Sequence, residues 1–372
     1  KSKHVLQKVK ISGGGRCNVT HAEFEPKPLT THYPRGEKEL IGPFHTFMTG
    51  DMMAWLNEKG VELKIENDGR IFPVSDSSQT IIDCFVNEAA RLAIEVQTSQ
   101  NVLDFQYDDE LWYITTKTME YLARQLVIST GSSKKIWDTL AELGHHIIPP
   151  VPSLFTFNIN YPQLTKLQGL SLDTYITLYK DKNCSKAILE SDGATLITHW
   201  GLSGPAVLKL SAWGAKLLND LDYHFYLKVN WLNGTTPDEA LECLKVQKEQ
   251  TPKKNMGNQT AFELPKRIWH FMLNESRVDV NKNWADVSKQ DMLALVQNLT
   301  QFQLEVNGKS TFKEEFVTAG GVDLKDIDFK TFSSKKQPKL KILGEALNID
   351  AITGGFNFQS AWTSAFVAAN TD

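Results

Sequence analysis

Apolar and polar positions along this chain change rhythm several times, and the changes mark its elements. Val9 and Ile11 form a short β-like run that leads into Ser12-Gly13-Gly14-Gly15-Arg16-Cys17-Asn18. Between 37 and 60, Leu40, Phe44, Phe47, Met48, Met52, Trp55 and Leu56 recur at helical spacing, and Gly60 closes that helix. Val61–Ile65 alternates like a strand, Asp68-Gly69 is a turn, and Arg70–Pro73 is a second extended piece. A helix is predicted at about 78–91. Alternation returns over Val96–Phe105 and Leu111–Thr116, with Asp108-Asp109 as the turn. Leu126-Val127-Ile128 reads as a buried strand ending in Ser129-Thr130-Gly131, and a helix over 135–143 stops at Gly144.

Pro149-Pro150-Val151-Pro152 then punctuates the chain as a first boundary. From 153 to about 231 short β-like runs dominate. Residues 236–300 are mostly amphipathic helix, opened by Thr236-Pro237-Asp238-Glu239 with Thr as cap, Pro at the first position and acids in the first turn. Near 315 the style reverts: Lys341-Ile342-Leu343 is an apolar strand ending in Gly344-Glu345, and Thr353-Gly354-Gly355 precedes a helix over Asn357–Asn370. The expected organisation is one α/β domain from 1–150 and 315–372, interrupted by a β-rich part (151–235) and a helical part (236–314).

Composition narrows the class without naming it. The 372 residues are 41% hydrophobic and 23% charged, an ordinary globular balance. The net charge of -4 gives no global pull toward nucleic acid or acidic lipid. Four scattered cysteines with no C-x-x-C suggest neither a zinc site nor a redox pair, so a reduced, cytoplasmic protein without a metal is expected. No apolar run reaches membrane length and no signal peptide is visible, so no membrane partner is expected.

Four segments place glycine or small polar residues at the end of an apolar strand: Ser12–Thr20, Val127–Gly131, Gly344-Glu345 with Asp350, and Thr353–Gln359. In open α/β sheets ligands sit outside the carboxyl ends of the strands, and a glycine-rich helix start favours negative charge on a ligand. Singly, each also reads as a structural turn.

Together with "VTAGGVDL", "KLKILGEALNIDAITGGFNFQSAWTSAFVA" and "THWGLSGPAVLKLS", the string "KVKISGGGRCNVT" resembles the bacterial FAD-dependent oxidoreductases of the BaiN and aminoacetone-oxidase type, once called HI-type hypothetical flavoproteins. The match runs in order along nearly the whole chain. It implies a two-dinucleotide-binding-type, Rossmann-like FAD domain carrying an inserted domain. It further implies that Ser12, Gly13, Gly14, Gly15, Arg16, Cys17 and Asn18 pass the flavin ring and pyrophosphate side, and that Thr130 and Gly131 lie near the adenosine half. Gly344, Glu345 and Asp350 resemble the acidic strand-end elements that meet the ribityl chain or pyrophosphate. Gly354, Gly355, Phe356 and Asn357 would aim backbone N–H groups at the flavin N1/C2=O edge, where reduced flavin carries negative charge. Tyr33-Pro34-Arg35-Gly36 is a family-like loop expected to shape a wall or the domain interface.

The chain departs from the pattern at its start. Flavoproteins of this fold begin with a strand, G-x-G-x-x-G and a helix. The resemblance puts that unit, about 30 residues by its usual size, upstream of Lys1, and a second gap near Arg91–Ile94. Arg16 reads equally as a phosphate or carboxylate contact and as a surface ion pair. Cys17 reads as packing. His199 is a candidate acid or base facing substrate, or a brace for the turn before the helix that Ser203 and Pro205 start. His145-His146 read as a solvated helix end.

The expected activity is FAD-mediated hydride transfer, with NAD(P)H as transient reductant, to a small molecule or O₂. The alternatives are a flavin-dependent reductase acting on a base in ribosomal RNA and a form that has lost its cofactor site. Trp231, Lys245, Lys248, Lys253, Lys254 and Arg267 on the insertion are the candidate RNA-facing residues.

Overall fold

The computed structural model describes residues 2–310 and 317–371. Two compact units separate, one from Lys1–Ser153 with Lys313–Asp372 and one from Leu154–Phe312.

The first unit is mixed α/β. At its centre Leu126–Ile128 pairs in parallel with Leu340–Ile342, in the register Leu126 to Leu340 and Ile128 to Ile342. Both strands belong to one four-stranded sheet with Ile327–Asp328 and Ser333–Ser334. Ile128, Leu340 and Ile342 are buried with Trp137, Phe105, Trp112, Phe356 and Val367, so the pair is sealed by a meander (Val102–Asp108, Leu111–Thr116, Glu120–Ala123) and by helices. The last helix, Phe356–Ala369, is held at its far end by Lys341. That buried ammonium donates to the carbonyls of Ala368 at 2.8 Å and Thr371 at 2.5 Å, the place where a helix exposes its unpaired acceptors. A second cluster packs Val9, Cys17, Val19, Phe47, Met52, Leu56 and Ile81.

Several expectations are corrected here. Val9 and Ile11 lie in a short helix, Gln7–Ile11, of which only Val9 is buried; two apolar residues in a five-residue element do not separate a period of 2 from one of 3.6. The helix expected over 37–60 is two, Ile41–Thr46 and Thr49–Glu58, because Phe47 and Met48 are extended between them. The alternation expected from Val96 begins at Val102; Leu92, Ile94 and Val96 are exposed. The proline cluster is itself a strand just before the division between the units at Ser153 and Leu154: Ile147–Ser153 pairs with Val317–Val322 in a two-stranded ribbon, whose free edge tolerates the missing N–H groups.

His145 is buried rather than solvated. One ring nitrogen meets the Leu140 carbonyl at 3.1 Å and the other the Ser334 hydroxyl at 2.7 Å, whereas His146 is exposed beside Asp323.

The second unit is a seven-stranded antiparallel sheet in the order Phe302–Asn307, His224–Asn230, Ser171–Tyr179, Ala187–Ile197, Gly201–Ser203, Thr156–Asn158, Lys309–Ser310. Helices including Pro205–Trp213, Pro237–Gln250, Lys266–Glu275 and Lys289–Thr300 pack with it around one core of Phe157, Leu178, Leu227, Trp269 and Leu295. Pro237–Gln250 starts with a full capping box between Thr236 and Glu239. Among the described residues no helix is long and apolar enough to cross a membrane.

Burial lowers the pKa of His145, and of His21, below the ordinary histidine value near 6.5. The unfolded chain therefore binds the proton more readily, and stability falls as pH drops below about 6.5. Urea unfolding between pH 7.5 and 5.5 checks this. His145→Gln is expected to flatten part of the slope, and an unchanged slope in the variant would contradict the assignment.

Candidate functional site

The parallel register carries the chain into two turns at the same end of the sheet. After Ile128 the chain passes Thr130 to Gly131 at φ 64°, and after Ile342 it passes to Gly344 at φ 57°. The Leu343 N–H donates to the Ile128 carbonyl at 2.9 Å, which locks the exits side by side. A side chain on Gly131 would lie 3.6 Å from a Glu345 carboxylate oxygen. Glu345 in turn meets Lys8 at 3.3 Å, bringing the helix before the glycine loop to the same strand end.

The loop itself is a run of left-handed residues: Gly13, Gly14 and Gly15 at φ 57°, 67° and 85°, then Cys17 at 62°. A turn of this kind can present backbone N–H groups to an anion, although the Cys17 N–H here already bonds the Ser12 carbonyl at 3.0 Å. Its two sides differ. A Cβ on Gly13 would strike the Asn18 backbone at 2.8 Å and the Phe72 ring at 2.9 Å, whereas Gly14 and Gly15 face open space. Asn18 is 8% exposed, yet its side-chain oxygen has no hydrogen-bond partner. A buried acceptor in that state has bonding capacity left for water or a ligand.

The third wall is the start of Phe356–Ala369. Gly355, left-handed at φ 93°, caps it, and no side chain satisfies its first N–H groups. Gly355 passes so close to Thr20 that a Cβ would lie 2.6 Å from that residue's carbonyl. Phe356 stacks with the rings of both His21 and His32 at 4.6 and 4.1 Å, and its carbonyl accepts from the buried Tyr33 hydroxyl at 2.5 Å. The His21 ring fills the space that Gly69 leaves, Nε2 faces the Asp68 carbonyl at 3.1 Å, and Nδ1 is a second buried polar atom without a partner. His21 escaped the sequence reading; Gly69 and Gly354, both kept clear for its ring, were the only signal.

Four of the predicted side chains are engaged elsewhere. The Arg16 guanidinium bonds Glu66 at 2.6 Å and stacks on Phe72 at 3.9 Å from the ring centre, which is the ion-pair alternative. The Asp350 carboxylate is fully buried, bound by Arg35 through both oxygens and by the Ser153 hydroxyl at 2.8 Å. This gives the Tyr33–Gly36 loop a concrete part: Arg35 ties it to Asp350 and Ser153. Burial still pushes the Asp350 carboxyl above its usual range, with Arg35 pulling the other way. The Asn357 amide closes its own loop, bonding the Ala351 N–H at 3.0 Å and the Ala351 carbonyl at 3.1 Å. Cys17 is buried, and burial pushes its thiol up to about 11, so it stays protonated at neutral pH.

His199 lies in the second unit, in the exposed turn before Gly201–Ser203, against the Trp200 ring at 4.5 Å. Trp231, grouped above with the RNA-facing residues, is in the core. Arg267 donates to the Lys166 carbonyl and Lys248 to the Val287 carbonyl.

Glycine turns thus gather at the carboxyl end of a parallel strand pair, beside an uncapped helix start, the place where α/β sheets offer room and backbone N–H groups to a ligand. The family described as "HI0933-like protein Rossmann domain" matches residues 1–371, and the chain belongs to it. It is 28% identical over 376 residues to a "Ribosomal RNA dihydrouridine synthase" of Escherichia coli (strain K12), covering 98% of this chain and 88% of that one. It is 26% identical over 382 residues to the protein so named from Haemophilus influenzae, covering 99% and 90%. A "3-dehydro-bile acid delta(4,6)-reductase" of Clostridium scindens is 21% identical over 373 residues, covering 98% and 89%.

Two substitutions separate the walls. Gly14→Ala is expected to cost about 1–2 kcal/mol, from the left-handed backbone alone. Gly355→Ala is expected to cost more, because its Cβ also collides with Thr20. Equal costs in urea unfolding would contradict this geometry. Alkylation of the native protein near pH 8, read by intact mass, is expected to label exposed Cys243 and spare buried Cys17, Cys84 and Cys184. Rapid labelling of Cys17 would show that the loop is not packed as described.

Proposed function

We propose that the chain is an FAD-dependent reductase whose substrate is a uridine base in ribosomal RNA. The observation that carries the cofactor is the buried Asn18 oxygen without a partner, in a loop whose Gly14 and Gly15 face open space. A flat, polar, anionic group fits such a cradle: backbone N–H groups for negative charge, open space over the glycines, and an amide with bonding capacity to spare. FAD, when bound, supplies two-electron hydride chemistry.

The chain's own residues position it. Gly13, Gly14 and Gly15 offer backbone, and Asn18 offers its amide. Thr130-Gly131 and Gly344-Glu345 line the strand ends, and the helix start at Gly354–Asn357 favours negative charge near it. Arg16, Cys17, Asp350 and Asn357 act through backbone position, since their side chains are occupied or buried. Arg35 and Asp350 fix the segment that leads into the Gly354-Gly355 turn.

The substrate reading rests on the two relatives named for ribosomal RNA, which match nearly the whole chain. In the net reaction the uracil C5–C6 double bond gains a hydride and a proton, and NAD(P)H is oxidised to NAD(P)⁺. A small-molecule acceptor is the second reading, favoured by the relative named as a bile acid reductase.

Purified protein is expected to take up FAD, absorb near roughly 370 and 450 nm, and bleach with NAD(P)H. It is then expected to form dihydrouridine in ribosomal RNA from cells lacking the gene. A protein that takes up no FAD would overturn the cofactor assignment. A flavin-loaded protein that leaves the RNA unchanged would overturn the substrate and leave the small-molecule reading.

A further inference from the structure

We infer that the open face of the second unit's sheet is a stacking platform for single-stranded RNA. This rests on the proposed RNA substrate but concerns a surface within the second unit only. The four strands Phe302–Asn307, His224–Asn230, Ser171–Tyr179 and Ala187–Ile197 are consecutive neighbours in the sheet. Alternation assigns their two faces. Ile176, Leu178, Phe225, Leu227, Val229 and Leu304 are buried in the core. Tyr175 and Tyr179 on one central strand, and Tyr226 and Lys228 on the other, point the opposite way and are only half-buried.

The register sets the spacing. Tyr179 lies opposite Tyr226, Thr177 opposite Lys228, and Tyr175 opposite Asn230. An antiparallel sheet with helices behind it and aromatic rings on its two central strands can stack unpaired bases. A surface cavity of about 200 Å³ sits among these residues, lined by Tyr175, Thr177, Tyr179, Lys228, Asn230 and Gln301, among others. It offers rings for base faces, amides for base edges and an ammonium for phosphate. Lys228 Nζ already lies 5.4 Å from the Tyr179 ring centre.

Charge favours a polyanion at one end of this face. Lys180, Lys182 and Lys186 are exposed in the turn that follows Tyr179. The face also carries carboxylates: Glu190 accepts from the Tyr175 hydroxyl and Asp192 faces Lys209 at 3.5 Å, while Asp173 is exposed two residues before Tyr175, toward the other end of the strand. Asp181 is turned onto its own loop through Ser185 and the Asn183 N–H. Lys180, Lys182 and Lys186 with Lys228 are the groups placed to meet phosphate at the Tyr179 end of the face.

Fluorescence anisotropy with a labelled, uridine-rich, single-stranded RNA of about ten nucleotides tests this on the full chain. Tyr175→Ala, Tyr179→Ala and Tyr226→Ala are each expected to weaken binding by about tenfold, the scale of one lost stack. Tyr179→Phe is expected to keep it, because the ring remains. Lys228→Ala is expected to reduce the salt dependence of binding. Circular dichroism and urea midpoints confirm that the variants fold. Unchanged affinity in folded Tyr→Ala variants of a protein that binds the RNA would overturn the platform while leaving the proposed function intact. If the flavin-loaded wild-type chain binds no RNA and leaves ribosomal uridines unreduced, the substrate reading itself fails. Equal loss in Tyr179→Phe and Tyr179→Ala would also overturn stacking.

Discussion

Everything at the proposed cofactor site depends on one parallel strand pairing between opposite ends of the chain. Leu126–Ile128 and Leu340–Ile342 are brought together with their carboxyl ends aligned, so Thr130-Gly131 and Gly344-Glu345 leave the sheet as neighbours. Parallel pairing demands burial and a crossover. Here the burial comes from Trp137, Trp112 and Phe356. The crossover between the paired strands contains the whole second unit.

The other walls are referred to this pair by specific contacts. A Cβ on Gly344 would lie 3.6 Å from Ala361, and the Gly344 N–H donates to the Ser364 hydroxyl at 3.2 Å, so the last helix is indexed to the strand end. Lys341, one strand turn away, holds that helix by its final carbonyls. At its other end the helix touches Thr20 through Gly355, and Thr20 and Gln359 share a buried hydrogen bond of 2.6 Å. A site of this kind is positioned by backbone close approach more than by charged side chains. This is why Arg16 and Asp350, chemically the most suggestive residues in the motifs, turn out to be tied up in ion pairs.

The sequence showed where glycine was needed, and those positions carried most of what could be read from it. Short β-runs ending in Gly131 and Gly344, and the helix after Gly355, were legible because glycine and β-branched residues have strong local signatures, although Val127, expected in a buried run, is exposed. The family resemblance joined four bland turns into one proposed site. What stayed hidden was set by long-range contacts. Five residues around Val9 cannot declare helix or strand by themselves. Ile147–Ser153 hides its strand behind three prolines, which only a free ribbon edge permits. The pairing of Arg35 with Asp350, the burial of His145 and the stacking of His21 on Phe356 join residues far apart in sequence. The tyrosine face of the second unit was missed because a period-2 pattern shows two faces but not which one is left open.

The central claim is that four separated segments form one cofactor site. Hydrogen–deuterium exchange with and without FAD tests it most directly. The account predicts concerted protection of residues 12–18, 129–131, 344–346 and 353–358 on adding FAD, with the second unit unaffected. Protection confined to one of these segments, or appearing only in the second unit, would contradict it.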